Sequence, residues 1–149
     1  MKLIYNLIAL DYYSFESFNY LCSHIKILRY DSLKIYFNEL IKIHLNDIKK
    51  ICQTNNLELI ISFKKNASLK NYFNVIDNIE IFNNNIYENI KDKFKSIIVN
   101  IQYNEIENIK NFDYILISNP DEIDDFEIFK FKNIGIEIEN LNDIWYNTL

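Results

Sequence analysis

Repeating strand–helix units, an α/β fold, are what this sequence predicts, and three observations predict them. Short runs rich in Ile, Leu and Tyr are apolar on both faces, as parallel strands covered by helices are. Segments with helical spacing lie between these runs. The alternation recurs about every 20 residues without a linker, the only proline being Pro120 and the only glycine Gly135. A mostly parallel sheet with right-handed crossovers follows, in a single domain over 1–149.

The candidate strands, in order, are Leu3–Leu10, Ile25–Leu28, Leu57–Phe63, Ile79–Phe82, Ser96–Ile101, Tyr114–Ile117 and Asn133–Ile138. The clearest helix is Leu33–Asn55. There Phe37, Leu40, Ile41, His44, Ile48, Ile51 and Cys52 share one face, with Lys42, Asn46, Asp47, Lys49 and Lys50 on the other. Asp31 and Ser32 suit its N-cap, and Asn55-Asn56 its stop. Shorter helices are expected over Phe15–Leu21 after Ser14, Ala67–Phe73, Ile86–Phe94 and Glu105–Ile109; Asp121–Phe131 fits either a short helix or an irregular loop.

Eight βα units normally take about 200 residues or more. A chain of 149 is therefore expected to trim its loops and stop before an eighth strand. The architecture is a shrunken or incomplete TIM-type barrel of about seven parallel strands, or alternatively an open doubly wound parallel sheet. An uncapped sheet edge would favour a homo-oligomer.

Composition removes several function classes. With 49% of residues hydrophobic, disorder through low hydrophobicity is excluded. The net charge of −5 is interspersed, and basic residues cluster no further than doublets such as Lys49-Lys50, so no nucleic-acid partner is expected. Apolar runs stop at about four residues, far short of the ~20 that span a bilayer, so no membrane partner is expected either. The start, Met1-Lys2-Leu3-Ile4-Tyr5, is interrupted by Asn6 and Asp11 and lacks a small-residue cleavage site; it reads as a first core strand. Cys22 and Cys52 fall on helical apolar faces and are expected to stay reduced, with the cytoplasm as compartment and no metal site.

The residues that carry chemistry are few. One glycine excludes a phosphate-binding loop or a dinucleotide fingerprint. No nucleophile elbow is present, and His44 reads as a core histidine; His24 lies just before the second candidate strand. The run Asp121, Glu122, Asp124 and Asp125 lacks the alternation and glycine of a calcium loop and reads as solvated. Glu137 and Glu139 share one side of the seventh strand. Inside a barrel mouth they would bind a cation or an amine; on an edge strand, the favoured reading, they stay wet and discourage aggregation. Arg29, the only arginine, stands at the expected C-terminal end of the second strand, where its fork would suit a phosphate or carboxylate; alternatively it pairs with Asp11 or Asp31.

In order, the segments resemble the thiamine phosphate synthase and TenI family of small TIM barrels. Leu3-Ile4-Tyr5-Asn6-Leu7-Ile8 is similar to the family's l-Y-x-I-T-D strand, and Ile27-Leu28-Arg29-Tyr30-Asp31 to its q-L-R-x-K strand. Leu59-Ile60-Ile61-Ser62 stands at l-I-I-N-D, Asp77-Asn78-Ile79-Glu80-Ile81 at a-D-G-V-H-L, and Ile98-Val99-Asn100-Ile101-Gln102 at G-x-S-x-H. Asp113-Tyr114-Ile115-Leu116-Ile117-Ser118-Asn119 resembles D-Y-x-x-x-G-P. Gly135-Ile136-Glu137-Ile138-Glu139 stands at A-x-G-G-I, and Asn142-Asp143-Ile144 at e-N-i.

The resemblance implies a transferase that joins a hydroxymethylpyrimidine diphosphate to a thiazole phosphate with magnesium, or a TenI-like protein that binds or aromatises the thiazole. It makes Arg29, Ser62, Asn100, Gln102 and Ser118 the ligand-binding candidates, a small phosphorylated heterocycle the partner, and Mg the cofactor if family activity is retained. The departures are specific. Asp31 replaces a lysine, Ser62-Phe63 the magnesium-binding Asn-Asp pair, and Glu137-Ile138 the phosphate glycines. A divergent member is expected, reduced to ligand binding and inactive as a synthase, with no assigned catalytic residue; the alternative is a non-catalytic subunit or interaction module.

Overall fold

A computed structural model describes residues 2–7, 10–64, 69–101, 112, 114–117, 133–138 and 142–147. The first strand, β1 (Lys2–Leu7), leads into helix α1 (Phe15–Ile27). Ser14 starts that helix as expected: its backbone is extended and its hydroxyl accepts the Ser17 N–H at 3.1 Å. Phe18, Cys22 and Ile25 recur at i, i+4 and i+7 and are buried, which fixes the face turned inward. The apolar run Ile25–Leu28, expected as a strand, is instead the end of this helix and the turn after it; Ile27 and Leu28 face solvent.

The second strand, β2 (Ser32–Tyr36), occupies residues expected to open the long helix. Leu33 and Phe37, four residues apart, fall on the helical stripe by coincidence, but Leu33 and Ile35 share one face of a strand. Helix α2 (Glu39–Thr54) therefore begins later. Its cap is Asn38, whose side chain accepts the Ile41 N–H at 2.9 Å, and not Asp31 or Ser32. Ile41, Leu45, Ile48, Ile51 and Cys52 form its buried stripe.

Four more parallel strands agree with the sequence to within a residue: β3 (Glu58–Phe63), β4 (Asn78–Ile81), β5 (Ser96–Ile101) and β6 (Tyr114–Ile117). A 3-10 turn at Leu69–Tyr72 stands where a helix was expected; a second 3-10 turn and a one-turn helix, α3 (Tyr87–Ile90), precede β5. The segments Glu105–Ile109 and Asp121–Phe131 lie outside the described residues.

Strand β7 (Asn133–Ile138) completes seven parallel strands of a shrunken TIM-type barrel. The expectation of no eighth strand is corrected. Strand β8 (Asn142–Asn147) returns antiparallel to β7 and pairs antiparallel with β1, closing the sheet in the order β1 to β8. A short β7–β8 connection replaces a full βα crossover, which is how the barrel closes on so short a chain. Closure also removes the free edge on which the expected self-association rested.

Strand residues facing outward, among them Leu33, Ile35, Ile61, Phe63, Ile79, Ile81, Ile97 and Val99, pack with the inner faces of α1 and α2 in one apolar shell. Burying each such side chain contributes about 1.5–3 kcal/mol. Cys22 and Cys52 are free thiols inside this shell.

Candidate functional site at the barrel mouth

Each strand presents alternate residues to the barrel interior, and in a TIM barrel those residues stack in layers contributed by alternate strands. One layer holds Ile4, Ile60 and Ile98 from β1, β3 and β5, with Gly135 of β7 adding no side chain. Above it come Lys34, Glu80, Leu116 and Asp143 from β2, β4, β6 and β8. The top layer returns to the odd strands with Asn6, Ser62, Asn100 and Glu137. From the isoleucine layer upward the interior thus passes from apolar to charged to polar toward the C-terminal ends of the parallel strands, the end at which α/β barrels place their sites.

Lys34 organises the middle layer. Its Nζ donates to Glu80 Oε2 at 2.7 Å and to Asp143 Oδ2 at 2.8 Å, with none of the three side chains exposed. Ser62 Oγ donates to Glu80 Oε1 at 2.6 Å, and Asn6 Nδ2 to Asp143 Oδ1 at 2.9 Å. Asn100 Nδ2 donates to Glu137 Oε2 at 3.2 Å and lies 3.5 Å from Glu80 Oε2. Each carboxylate of the middle layer is therefore bonded at both oxygens, as buried charges require.

Burial draws the Lys34 ammonium toward lower values, but the carboxylates of Glu80 and Asp143 outweigh it and hold Lys34 well above the ordinary lysine range. Burial pushes Asp143 up against the opposing pull of Lys34. Glu137 is also pushed up by burial, Lys34 only partly offsetting it. Tyr36, half-buried at the end of β2, is raised to about 12, by burial first and then by Glu80. The Lys64 ammonium lies over its ring, 4.3 Å from the centroid.

Of the sequence candidates, Ser62 and Asn100 come together here, and Gln102 and Ser118 lie outside the described residues. Arg29 does not join them. It sits in the turn between α1 and β2, exposed, at the N-terminal end of the barrel and with φ at 69°. Its expected place at a strand's C-terminal end is corrected because β2 begins three residues later. It pairs with neither Asp11 nor Asp31; Asp31 instead accepts the Leu3 N–H at 2.9 Å.

The favoured edge-strand reading of Glu137 is corrected too. Glu137 points into the barrel and is 4% exposed. Glu139 and the acidic run from Asp121 lie outside the described residues. His44 stacks on Tyr13 with centroids 4.2 Å apart, and His24 packs against Tyr20, so neither reaches the interior.

Sequence reasoning missed Lys34, Glu80, Asp143 and Asn6. A signal existed: several strands carry one polar residue between two apolar ones, as in Tyr5-Asn6-Leu7, Leu33-Lys34-Ile35, Ile61-Ser62-Phe63, Ile79-Glu80-Ile81 and Val99-Asn100-Ile101. Such a residue faces the barrel lumen while its neighbours face the helices.

The magnesium position implied by the family resemblance does not fit these residues. Ser62 is committed to Glu80, and the Phe63 ring is turned outward against Phe37 at 4.9 Å. Among the described residues no group of three His, Cys, Asp or Glu side chains is placed to hold a metal. A groove of about 590 Å³ opens at the N-terminal face beside Lys49, Gln53, Glu58, Asp77 and Lys95. Two of its charges are already matched, Lys49 by the Val75 carbonyl and Glu58 by Lys2.

The fold and interior define a closed α/β barrel with a charged middle and a polar C-terminal mouth. No protein-family model matches the chain, and no curated protein or solved structure matches it either. No described helix is long and apolar enough to cross a membrane.

Proposed function

We propose that this protein is a small-molecule-binding barrel of the thiamine phosphate synthase and TenI type, in which a ligand site persists at the C-terminal mouth without the transferase reaction. One observation carries the reading: Asn6, Ser62, Asn100 and Glu137, from four alternate strands, form one polar layer at the site-bearing end. The transferase reaction needs cationic groups for a diphosphate leaving group. Arg29 stands at the other end, and Lys34 is neutralised by two carboxylates. Three carboxylates around the interior would repel a phosphorylated ligand.

Calorimetry with the thiazole phosphate, its dephosphorylated alcohol and the pyrimidine diphosphate, each with magnesium, tests this. The expected result is heat from the alcohol, none from the two phosphorylated compounds, and no pyrophosphate release. Absence of heat from all three at millimolar concentration removes the family reading, and turnover to a joined product removes the degraded-enzyme reading.

The outer surface of α1 favours a second reading, a non-catalytic interaction module. Phe15, Tyr20 and Ile27 on α1, with Tyr12 before it and Leu28 after it, are all more than half exposed. Sedimentation of the chain before and after the double change Tyr20→Ser and Ile27→Ser checks it. A concentration-independent monomer for both proteins counts against self-association.

A further inference from the structure

Donors and acceptors do not balance in the mouth. Glu80 and Asp143 are each fully bonded, but among the described residues Glu137 receives a single hydrogen bond, from Asn100. Asn6 is 4% exposed; with its Nδ2 given to Asp143, its Oδ1 is left buried without a donor among the described residues. An unmet buried acceptor is costly, and native interiors rarely leave one.

Charge is unbalanced in the same place. Among the described residues, Glu80, Asp143 and Glu137 face a single ammonium, that of Lys34. Asn6 on β1 and Glu137 on β7 lie on the two strands that flank Asp143 on β8, so the missing donors and the missing positive charge fall on the same side of the barrel. Glu137, Asn6 and Asn100 are each 4% exposed, whereas Lys34, Glu80 and Asp143 are sealed, which puts the unbalanced groups uppermost.

We propose that the mouth takes a small primary ammonium ion, held by the Glu137 carboxylate and the Asn6 Oδ1. An ammonium supplies what both groups lack, several N–H donors on one compact positive charge. A phosphate or carboxylate ligand would add acceptors where donors are missing. The inference rests on the C-terminal mouth being the ligand site and names the class of ligand it takes.

The test titrates the whole chain, carrying ¹³C-labelled Asp and Glu carboxyls and ¹⁵N-labelled Asn side chains, with ethanolammonium and separately with neutral ethylene glycol. Ethanolammonium is expected to shift the Glu137 carboxyl and the Asn6 amide saturably, while the glycol shifts neither. Glu137→Gln, which keeps size and shape, is expected to weaken the ammonium about tenfold or more, the effect of removing a charged hydrogen-bond partner. Asn6→Leu is a second variant with the same expected direction. Equal ammonium binding in both variants overturns the proposal. So does a mouth that answers the thiazole alcohol but not the ammonium, which leaves the binding reading standing. Silence to every probe overturns both.

Discussion

Lys34 and Glu80 lie 2.7 Å apart on neighbouring-but-one strands of the barrel, with neither side chain exposed to solvent. The pair makes the barrel interior ionic, and Asp143 of the closing strand extends it at 2.8 Å. Removing one partner of a buried ion pair leaves an uncompensated charge and costs about 3–5 kcal/mol. Lys34→Met is therefore expected to lose stability of that order in urea denaturation. The triple change Lys34→Met, Glu80→Gln and Asp143→Asn is expected to recover a large part of the loss. A triple variant as unstable as the single one contradicts the ionic reading of this layer.

Glu137 gives a pH-dependent prediction whose sign follows from its environment. Its folded-state pKa is raised above the ordinary 4.5 by burial, so its ionisation opposes the fold as pH rises through that raised value. Glu137→Gln is expected to raise the melting temperature at pH 8 and leave it unchanged at pH 4. Equal effects at both pH values contradict the assignment.

At alkaline pH the expected change has the same direction but another origin. Tyr36 is raised from 10.0 to about 12 and Lys34 is held above 10.5, so the folded state keeps both protons more tightly than the unfolded chain. Their contribution is fully present below pH 10 and is lost as pH rises through the folded values. Melting temperatures between pH 9 and pH 12 are expected to fall. Tyr36→Phe has no phenol to ionise and is expected to flatten the decline.

Arg29 supplies a control. It is exposed in a left-handed turn at φ 69°, a conformation costing a non-glycine residue about 1–2 kcal/mol. Arg29→Gly is expected to stabilise the chain by roughly 0.5–1 kcal/mol, and Arg29→Ala to stay within about 0.5 kcal/mol of the parent. Neither is expected to alter ligand binding at the mouth. A lost ligand heat in either variant would return Arg29 to the site.

Much of the fold was legible because β3, β5, β6 and β7 are short apolar runs between turn residues, and their bounds came out within a residue. The region around β2 was not. Leu33, Phe37, Leu40 and Ile41 carry helical spacing across the boundary, and only the alternation of Leu33 with Ile35 and the cap at Asn38 separate strand from helix. Strand β8 was hidden by its polar residues Asn142, Asp143 and Asn147, which break the pattern of a buried parallel strand. The site followed the fold only in part: Lys34 and Asp143 lay on the two strands misread, but Asn6 and Glu80 were missed on strands placed correctly, where Ser62 and Asn100 were found. Arg29 was selected for its rarity and moved out of the site when β2 moved.

Side-chain amide spectra of the ¹⁵N-labelled protein, during titration with the thiazole alcohol and with ethanolammonium, test most directly whether the mouth of the barrel is a ligand site. Asn6 and Asn100 line the mouth, while Asn55 donates to Asn19 outside the barrel at 3.0 Å and serves as the internal reference. The prediction is a saturable shift of the Asn6 and Asn100 amides with at least one probe and a stationary Asn55. Stationary Asn6 and Asn100 amides, or a movement equal to that of Asn55, would contradict it.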